Sequence, residues 1–266
     1  MAVKVLIGLP LLALAAFLWF GLEPVEPWLS YSWQHPLGTD EFGRDFLAVL
    51  IGATALSLSK AVIITLIAII ISTVIAYLAI YFQNKVVEGF FRGIVIVVES
   101  CPILLWVFVV IIAFSRLPVV IAVTVAFIIA ATPFVSNVIA GELERLWKAD
   151  YVRAARILGI GEWRILMSYI LPNAVSVLIP VALNVLGAAL TVSGAIGILG
   201  MGNRSELDLG ILLLRGKENV LQNPTILIVT VMTFIGIYIY IFLLKNWMLS
   251  RLNFSKSMNN KLREPA

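Results

Sequence analysis

From Ala61 to Ile80 the chain runs for twenty residues without a charge. At an α-helical rise of about 1.5 Å per residue, such a run crosses the roughly 30 Å hydrocarbon core of a bilayer. Inside that core the backbone must satisfy its own polar groups, and a helix does so within one segment. Other apolar stretches extend from about Gly93 to Phe114, Val119 to Ile139, Pro172 to Leu199 and Pro224 to Leu244. A shorter one, Val5 to Phe20, follows Lys4. It has two readings, a signal peptide or an anchor. The anchor is preferred, because Ala13-Leu14-Ala15 looks like a cleavage site but lies within the apolar run, ahead of Phe17, Trp19 and Phe20. The pattern predicts an all-α membrane protein of about six transmembrane helices.

Composition agrees. Of 266 residues, 61% are hydrophobic and 13% charged, with a mean hydropathy of +1.04; a water-soluble domain needs a more charged surface. The net charge of +4 does not point to nucleic acid, because the basic residues border apolar runs, as topology-setting charges do. One cysteine, Cys101, allows no intrachain disulfide. His35 is the only histidine, which excludes a multi-histidine metal site. No phosphate-binding GxxxxGK[ST] element and no nucleophile motif are present, so the chain itself is expected to be neither an enzyme nor a cofactor binder.

Charge fixes an expected orientation. If the termini, the Tyr81–Arg92 link and the segment after Ile139 lie on one side, that side holds Lys4, Lys85, Arg92, Arg145, Lys148, Arg153, Arg156, Arg164 and five basic residues from Lys245 onward. The other side holds Arg44, Arg116, Arg204, Arg215 and Lys217, with Lys60 unassigned at a boundary. Thirteen against five places both termini in the cytoplasm. The expected division is a first helix over 1–20, an external loop over 21–59, a five-helix core over 60–245 and a cytoplasmic tail over 246–266.

Within the external loop, His35-Pro36-Leu37-Gly38-Thr39-Asp40 is a turn, and Asp40 is placed to cap a helix starting near Glu41. That helix aligns Phe42, Phe46, Val49 and Leu50 in one stripe, suited to lying on the membrane surface. Asp40, Arg44 and Asp45 are expected to pin the loop, and His35 to serve as a turn residue rather than a metal ligand. Glu99 is the ionisable residue set within the third apolar run. A carboxylate there faces protein or water, so it contacts either a neighbouring helix or a pathway or gate. Pro102 should bend that helix and Pro133 the next. Gly194, Gly197, Gly200 and Gly202 make a surface on which another helix packs closely. Asn203 to Asn223 is expected as an external loop whose Ile211 to Leu214 either dips into the interface or packs on a neighbour.

The stretch Asp150 to Pro172 lies between two of the long runs. Tyr151, Ala154, Ala155 and Leu158 fall at i, i+3, i+4 and i+7, and Trp163, Leu166, Met167 and Ile170 repeat the spacing after Gly159-Ile160-Gly161. Two amphipathic helices with a glycine joint are predicted, Pro172 opening the next span.

The order Ala154-Ala155, three residues, Gly159, then Leu171-Pro172 resembles the EAA loop of permease subunits of ATP-binding-cassette importers. Arg153 stands where that pattern has glutamate, and Tyr169 where it often has isoleucine. HPLGTDEFGRDFL, from His35 through Gly38, Asp40, Gly43, Arg44 and Asp45, resembles the signature after the first span in the peptide/nickel group of these permeases. Ile198-Leu199-Gly200-Met201-Gly202 is similar to the family's FLGLG turn, with Ser193 where a glutamate is common. The likeness runs from about His35 to near Trp247 and identifies a C-type permease subunit.

What the resemblance implies is a type I importer permease fold in the prokaryotic cytoplasmic membrane. It also implies a heterodimer with a related B-type permease, two ATPase subunits that bind ATP and Mg, and an extracytoplasmic binding protein. Cargo would be peptides first, then nickel or metal chelates or oligosaccharides. Tyr151, Ala154, Ala155, Leu158, Gly159, Leu171 and Pro172 would couple the chain to the ATPases. The rival readings are a secondary transporter or channel working without ATP, for which Glu99 is the sole ionisable basis, and a membrane scaffold whose loop recruits a soluble partner.

Overall fold

A computed structural model describes residues 26–82 and 93–261, apart from Ser30, Gln34, Ile94, Glu99, Asn203 and Ser205. The expected first helix and Glu99 therefore lie outside the described residues. The helices are α1 (Phe46–Phe82), α2 (Ile103–Ala113), α3 (Val119–Trp147), α4 (Asp150–Ile157), α5 (Glu162–Ile165), α6 (Leu171–Ile198), α7 (Leu209–Glu218) and α8 (Pro224–Lys261). A π-helical turn, Leu166–Ile170, joins α5 to α6. Among the described residues there is no strand, only an isolated bridge between Thr39 and Asp45. Four stretches, Phe46–Ala79, Val119–Trp147, Glu162–Ile198 and Pro224–Arg251, are long and apolar enough to cross a membrane, and Ile103–Ala113 is a shorter apolar helix.

Several helix ends differ from expectation. A surface helix from Glu41 and a separate span from Ala61 were predicted; instead one helix runs from Phe46 to Phe82. Lys60 does not interrupt it, because its ammonium finds two carboxylates. Asp40 caps a tight turn rather than a helix, and Asp45 caps α1, its Oδ1 accepting from the Ala48 amide at 3.0 Å. Asn203 to Asn223 is not simply a loop, since it contains α7, in which Leu209, Ile211, Leu212 and Leu214 are buried. The last helix passes Leu244 and continues to Lys261, with neither glycine nor proline between Gly236 and Lys261 to stop it. Pro172 lies in the first turn of α6, as expected, although the π turn joins that helix to α5 without a break.

The chain divides into two compact units. The first comprises residues 1–64, 111–124 and 187–239. Its core sets Phe46, Val49, Leu50 and Ala53 of α1 against Leu209 and Leu212 of α7 and Ile226 of α8, with Trp28 and Leu37 packed on it. Asp208 caps α7 through the Gly210 amide at 2.8 Å. The Leu209 amide donates to Ser57 Oγ at 3.0 Å, Lys60 Nζ lies 3.1 Å from Glu206 Oε2 and 3.4 Å from Asp208 Oδ2, and Ser193 Oγ donates to Asp208 Oδ2 at 3.5 Å. The glycines packed as predicted: a β-carbon on Gly197 would lie 2.4 Å from the Gly210 backbone, and one on Gly194 would lie 3.0 Å from the Phe234 ring.

The second unit comprises residues 65–110, 125–186 and 240–266. Its buried side chains include Val107, Phe127, Val135, Ile139, Leu143, Val152, Ile165 and Ile170. Cys101 and Pro102 interrupt the helical path before α2. Proline has no N–H for the carbonyl four residues back, that of Val98, and Trp106 Nε1 donates to it instead at 3.2 Å. α3 runs unbroken through Pro133, and Ser72 Oγ donates to the Thr132 carbonyl at 3.4 Å.

Candidate functional site

In the segment from Asp150 to Pro172, the structure keeps two helical pieces and a glycine joint but turns the first piece differently from the prediction. Val152 and Ala155 face inward, 0% and 3% exposed, whereas Tyr151, Ala154, Leu158 and Gly159 are exposed. The predicted stripe is thus divided: Ala155 belongs to the chain's own core and its companions to the surface. Val152 and Ala155 lie three residues apart and so share one side of this eight-residue helix, and that side, not the one bearing Tyr151 and Leu158, meets the chain's own core. In the second piece Ile165, Leu166 and Ile170 are buried, while Trp163 and Met167 are exposed.

The joint has a definite geometry. The Ile160 amide donates to the Ala155 carbonyl at 3.1 Å and the Gly159 amide to the Arg156 carbonyl at 2.9 Å, the bond pair of a Schellman motif. Gly159 has φ +75°, the left-handed region open to glycine. Gly161 then caps α5 with φ −63° and ψ 146°. Downstream, the Leu171 amide donates to the Leu166 carbonyl, a five-residue step, and Asn173 Nδ2 donates to the Tyr169 carbonyl at 2.6 Å. The wider turn lets Pro172 stand exposed in the helix, with Leu171 half-buried.

Large apolar side chains gather around this joint in exposed positions: Ile157 is 87% exposed, Leu158 78% and Trp163 65%. The sequence pattern missed Ile157, whose signal is its place in the last turn before a left-handed glycine. Tyr151 is partly covered, and burial pushes its phenol above the ordinary value while Arg145 opposes that, so it is a neutral hydroxyl at cellular pH. Arg153 reaches Asp150 only at 3.7 Å, both well exposed, and that pair adds little.

The loop ahead of α1 is built by side chains that bond within it. Asp40, 4% exposed, accepts from the Phe42 and Arg44 amides at 2.9 Å each and from Arg44 Nε and Nη2 at 2.8 and 2.6 Å. Gly38 and Gly43 have φ +74° and +73° and supply the two reversals. His35 Nδ1 lies 2.9 Å from Asp45 Oδ2, and its amide bonds Ser32. Glu41 holds α7 through Asn219 at 2.9 Å and Arg215 at 3.5 Å. The Arg44 and Arg215 guanidiniums lie 4.9 and 5.1 Å from the Phe42 ring. Burial, and next the like charge of Arg44, pull the Arg215 guanidinium below its ordinary value, with Glu41 opposing. Among the described residues no group of three or more metal-ligating side chains is found.

Residues 68–253 match the model of a family described as the binding-protein-dependent transport system inner membrane component. The chain belongs to this permease family. It is therefore a multi-pass protein of the cytoplasmic membrane. The glutathione transport system permease protein GsiD of Pectobacterium atrosepticum is 26% identical over 195 residues, covering 73% of this chain and 64% of that one. The di/tripeptide transport system permease protein DppC of Pseudomonas aeruginosa is 32% identical over 167 residues, covering 62% and 54%. The permease thus spans less than two thirds of the length of these relatives. Its fold is that of solved importer subunits. A crystal structure of an amino acid ABC transporter with histidines aligns at TM-score 0.61 and 16% identity over 77% of this chain and 95% of the other. An inward-facing MetNI methionine ABC transporter aligns at 0.59 and 18% over 77% and 97%. The Asp150–Pro172 segment lies inside the matched region of the permease and the His35–Asp45 loop before it.

Proposed function

We propose that this permease supplies half of a transmembrane pathway for short peptides, driven by ATP that two separate ATPase subunits bind with Mg and hydrolyse. A related B-type permease completes the pathway and an extracytoplasmic binding protein delivers the cargo. Residues 150–172 are the cytoplasmic contact with the ATPases, and the bias of Lys and Arg toward that side supports the placement. The observation that carries the reading is the exposure of Ile157, Leu158 and Trp163 around a stapled glycine joint in a segment otherwise rich in charge, since exposed apolar groups rimmed by charge mark an interaction site. When the ATPases close, α4 moves with them and displaces the helices it joins, changing the membrane face to which the pathway opens.

Peptide cargo is favoured because relatives similar to this chain are named for glutathione and for di- and tripeptides. Two measurements test the whole. A cysteine at Leu158 should cross-link to the ATPase in the assembled complex, and uptake into vesicles should stop without ATP. Uptake that persists without ATP or without the ATPases would mean an ATP-independent transporter. A non-peptide ligand co-purifying with the binding protein would overturn the cargo class alone.

A further inference from the structure

The short helix α4 hangs between two breaks in helical structure. Only Lys148 and Ala149 separate it from the end of α3 at Trp147, and Leu158 to Gly161 separate it from α5. Its N-cap, Ala149, offers no side-chain bond, and Gly159 and Gly161 carry no side chains to brace the other end. Backbone bonds turn the chain locally at each break, the Schellman pair at the second among them, but no helical ladder runs through either. One side chain crosses both gaps. The Arg156 guanidinium lies 5.0 Å from the Trp147 ring, across the first break, and Arg156 Nε lies 3.0 Å from Glu162 Oε1, across the second. Trp147 is itself seated against Tyr77 of α1, ring centroids 6.2 Å apart at 57°.

We propose that Arg156 is the positioning residue that fixes α4 at both of its hinges, so that displacement of the exposed apolar cluster reaches α3 and α1 instead of being absorbed by the joints. The proposal rests on the coupling role of residues 150–172. A guanidinium suits the task because it stacks on an aromatic face with its plane while its edge donates to a carboxylate, which a lysine cannot do at once. Arg153, also on α4, has only the 3.7 Å contact to Asp150 on its own helix and bridges nothing.

The test uses the assembled complex in vesicles, with Cys101→Ser as background and spin labels on cysteines at Ile129 of α3 and Leu158. The parent should give one narrow distance distribution. Arg156→Gln should broaden it, and peptide taken up from a casein digest per ATP hydrolysed should fall about fivefold, the low end of coupling between sites. Trp147→Leu and Glu162→Gln should each give part of the effect and add nothing to Arg156→Gln, while Arg156→Lys should recover the ion-pair part. An unchanged width in Arg156→Gln overturns the proposal, as does a broadened distribution with unchanged uptake per ATP. Failure of a Leu158 cysteine to cross-link to the ATPase removes the coupling surface and this role with it; a cross-link combined with unchanged width removes this role alone.

Discussion

Gly197 and Gly210 meet backbone to backbone where α6 crosses α7, so that a β-carbon on Gly197 would stand 2.4 Å from the Gly210 Cα. Nothing flexible can yield there. Gly197→Ala should destabilise the protein by about 3 kcal/mol, the upper part of the usual overpacking range. Gly236, inside α8, has nothing within 4 Å of a built β-carbon, and Gly236→Ala should stabilise by about 0.5–1 kcal/mol through helix propensity. Thermal unfolding of detergent-solubilised protein should move in opposite directions for the two; a shared direction contradicts the crossing.

Lys60 joins α1 to the start of α7 through Glu206 and Asp208, and Asp208 is 7% exposed. Lys60→Met should leave a covered carboxylate without its cation. The loss should be about 1–2 kcal/mol, less than for a fully buried pair because the lysine and Glu206 side chains are 32% and 35% exposed. In a Glu206→Gln, Asp208→Asn background the same substitution should cost almost nothing, since the asparagine still caps α7. A full cost in that background would show that packing of the lysine stem, not charge, matters.

How far the sequence carried depends on the range of each interaction. Charge-free windows located the long helices, and the glycines from 194 to 202 announced a close crossing, because both signals are local. The continuity of α1 through Lys60 was not legible, since the acids that neutralise it lie 146 and 148 residues away. Nor was the inward stripe of α4, where Tyr151, Ala154 and Leu158 compete with Val152 and Ala155 on a helix only eight residues long. Glycine at 159 did signal a helix end. That Arg156 braces that end depends on Trp147 and Glu162 being turned toward it, which only tertiary placement decides.

Trp106 replaces the hydrogen bond that Pro102 denies to the Val98 carbonyl. Trp106→Phe keeps most of the apolar volume and removes the donor, leaving the Val98 carbonyl only the long 3.4 Å bond from the Cys101 amide, so it should cost about 0.5–1.5 kcal/mol, the worth of one hydrogen bond. Pro102→Ala restores an amide four residues from Val98. In that variant Trp106→Phe should be nearly neutral, and a thermal-stability double-mutant cycle reads the difference. Equal costs in both backgrounds would assign the tryptophan to packing alone.

Gly159 and Gly161 separate conformation from space in the joint between α4 and α5. Neither has a heavy atom within 4 Å of a built β-carbon, so a side chain fits at both. They differ in backbone: Gly159 lies at φ +75° and Gly161 at φ −63°. Gly159→Val places a β-branched residue in the left-handed region at about 1–2 kcal/mol, more than exposed-loop substitutions usually cost, and the cheapest relief is to open the Schellman motif. Gly161→Ser keeps an ordinary extended backbone and adds a capping hydroxyl for α5, so it should be neutral or slightly stabilising. With membrane insertion intact in both, Gly159→Val should lower substrate taken up per ATP hydrolysed and Gly161→Ser should leave it unchanged. Equal uptake in the two variants would mean that the left-handed turn at Gly159 sets no orientation the ATPase contact needs.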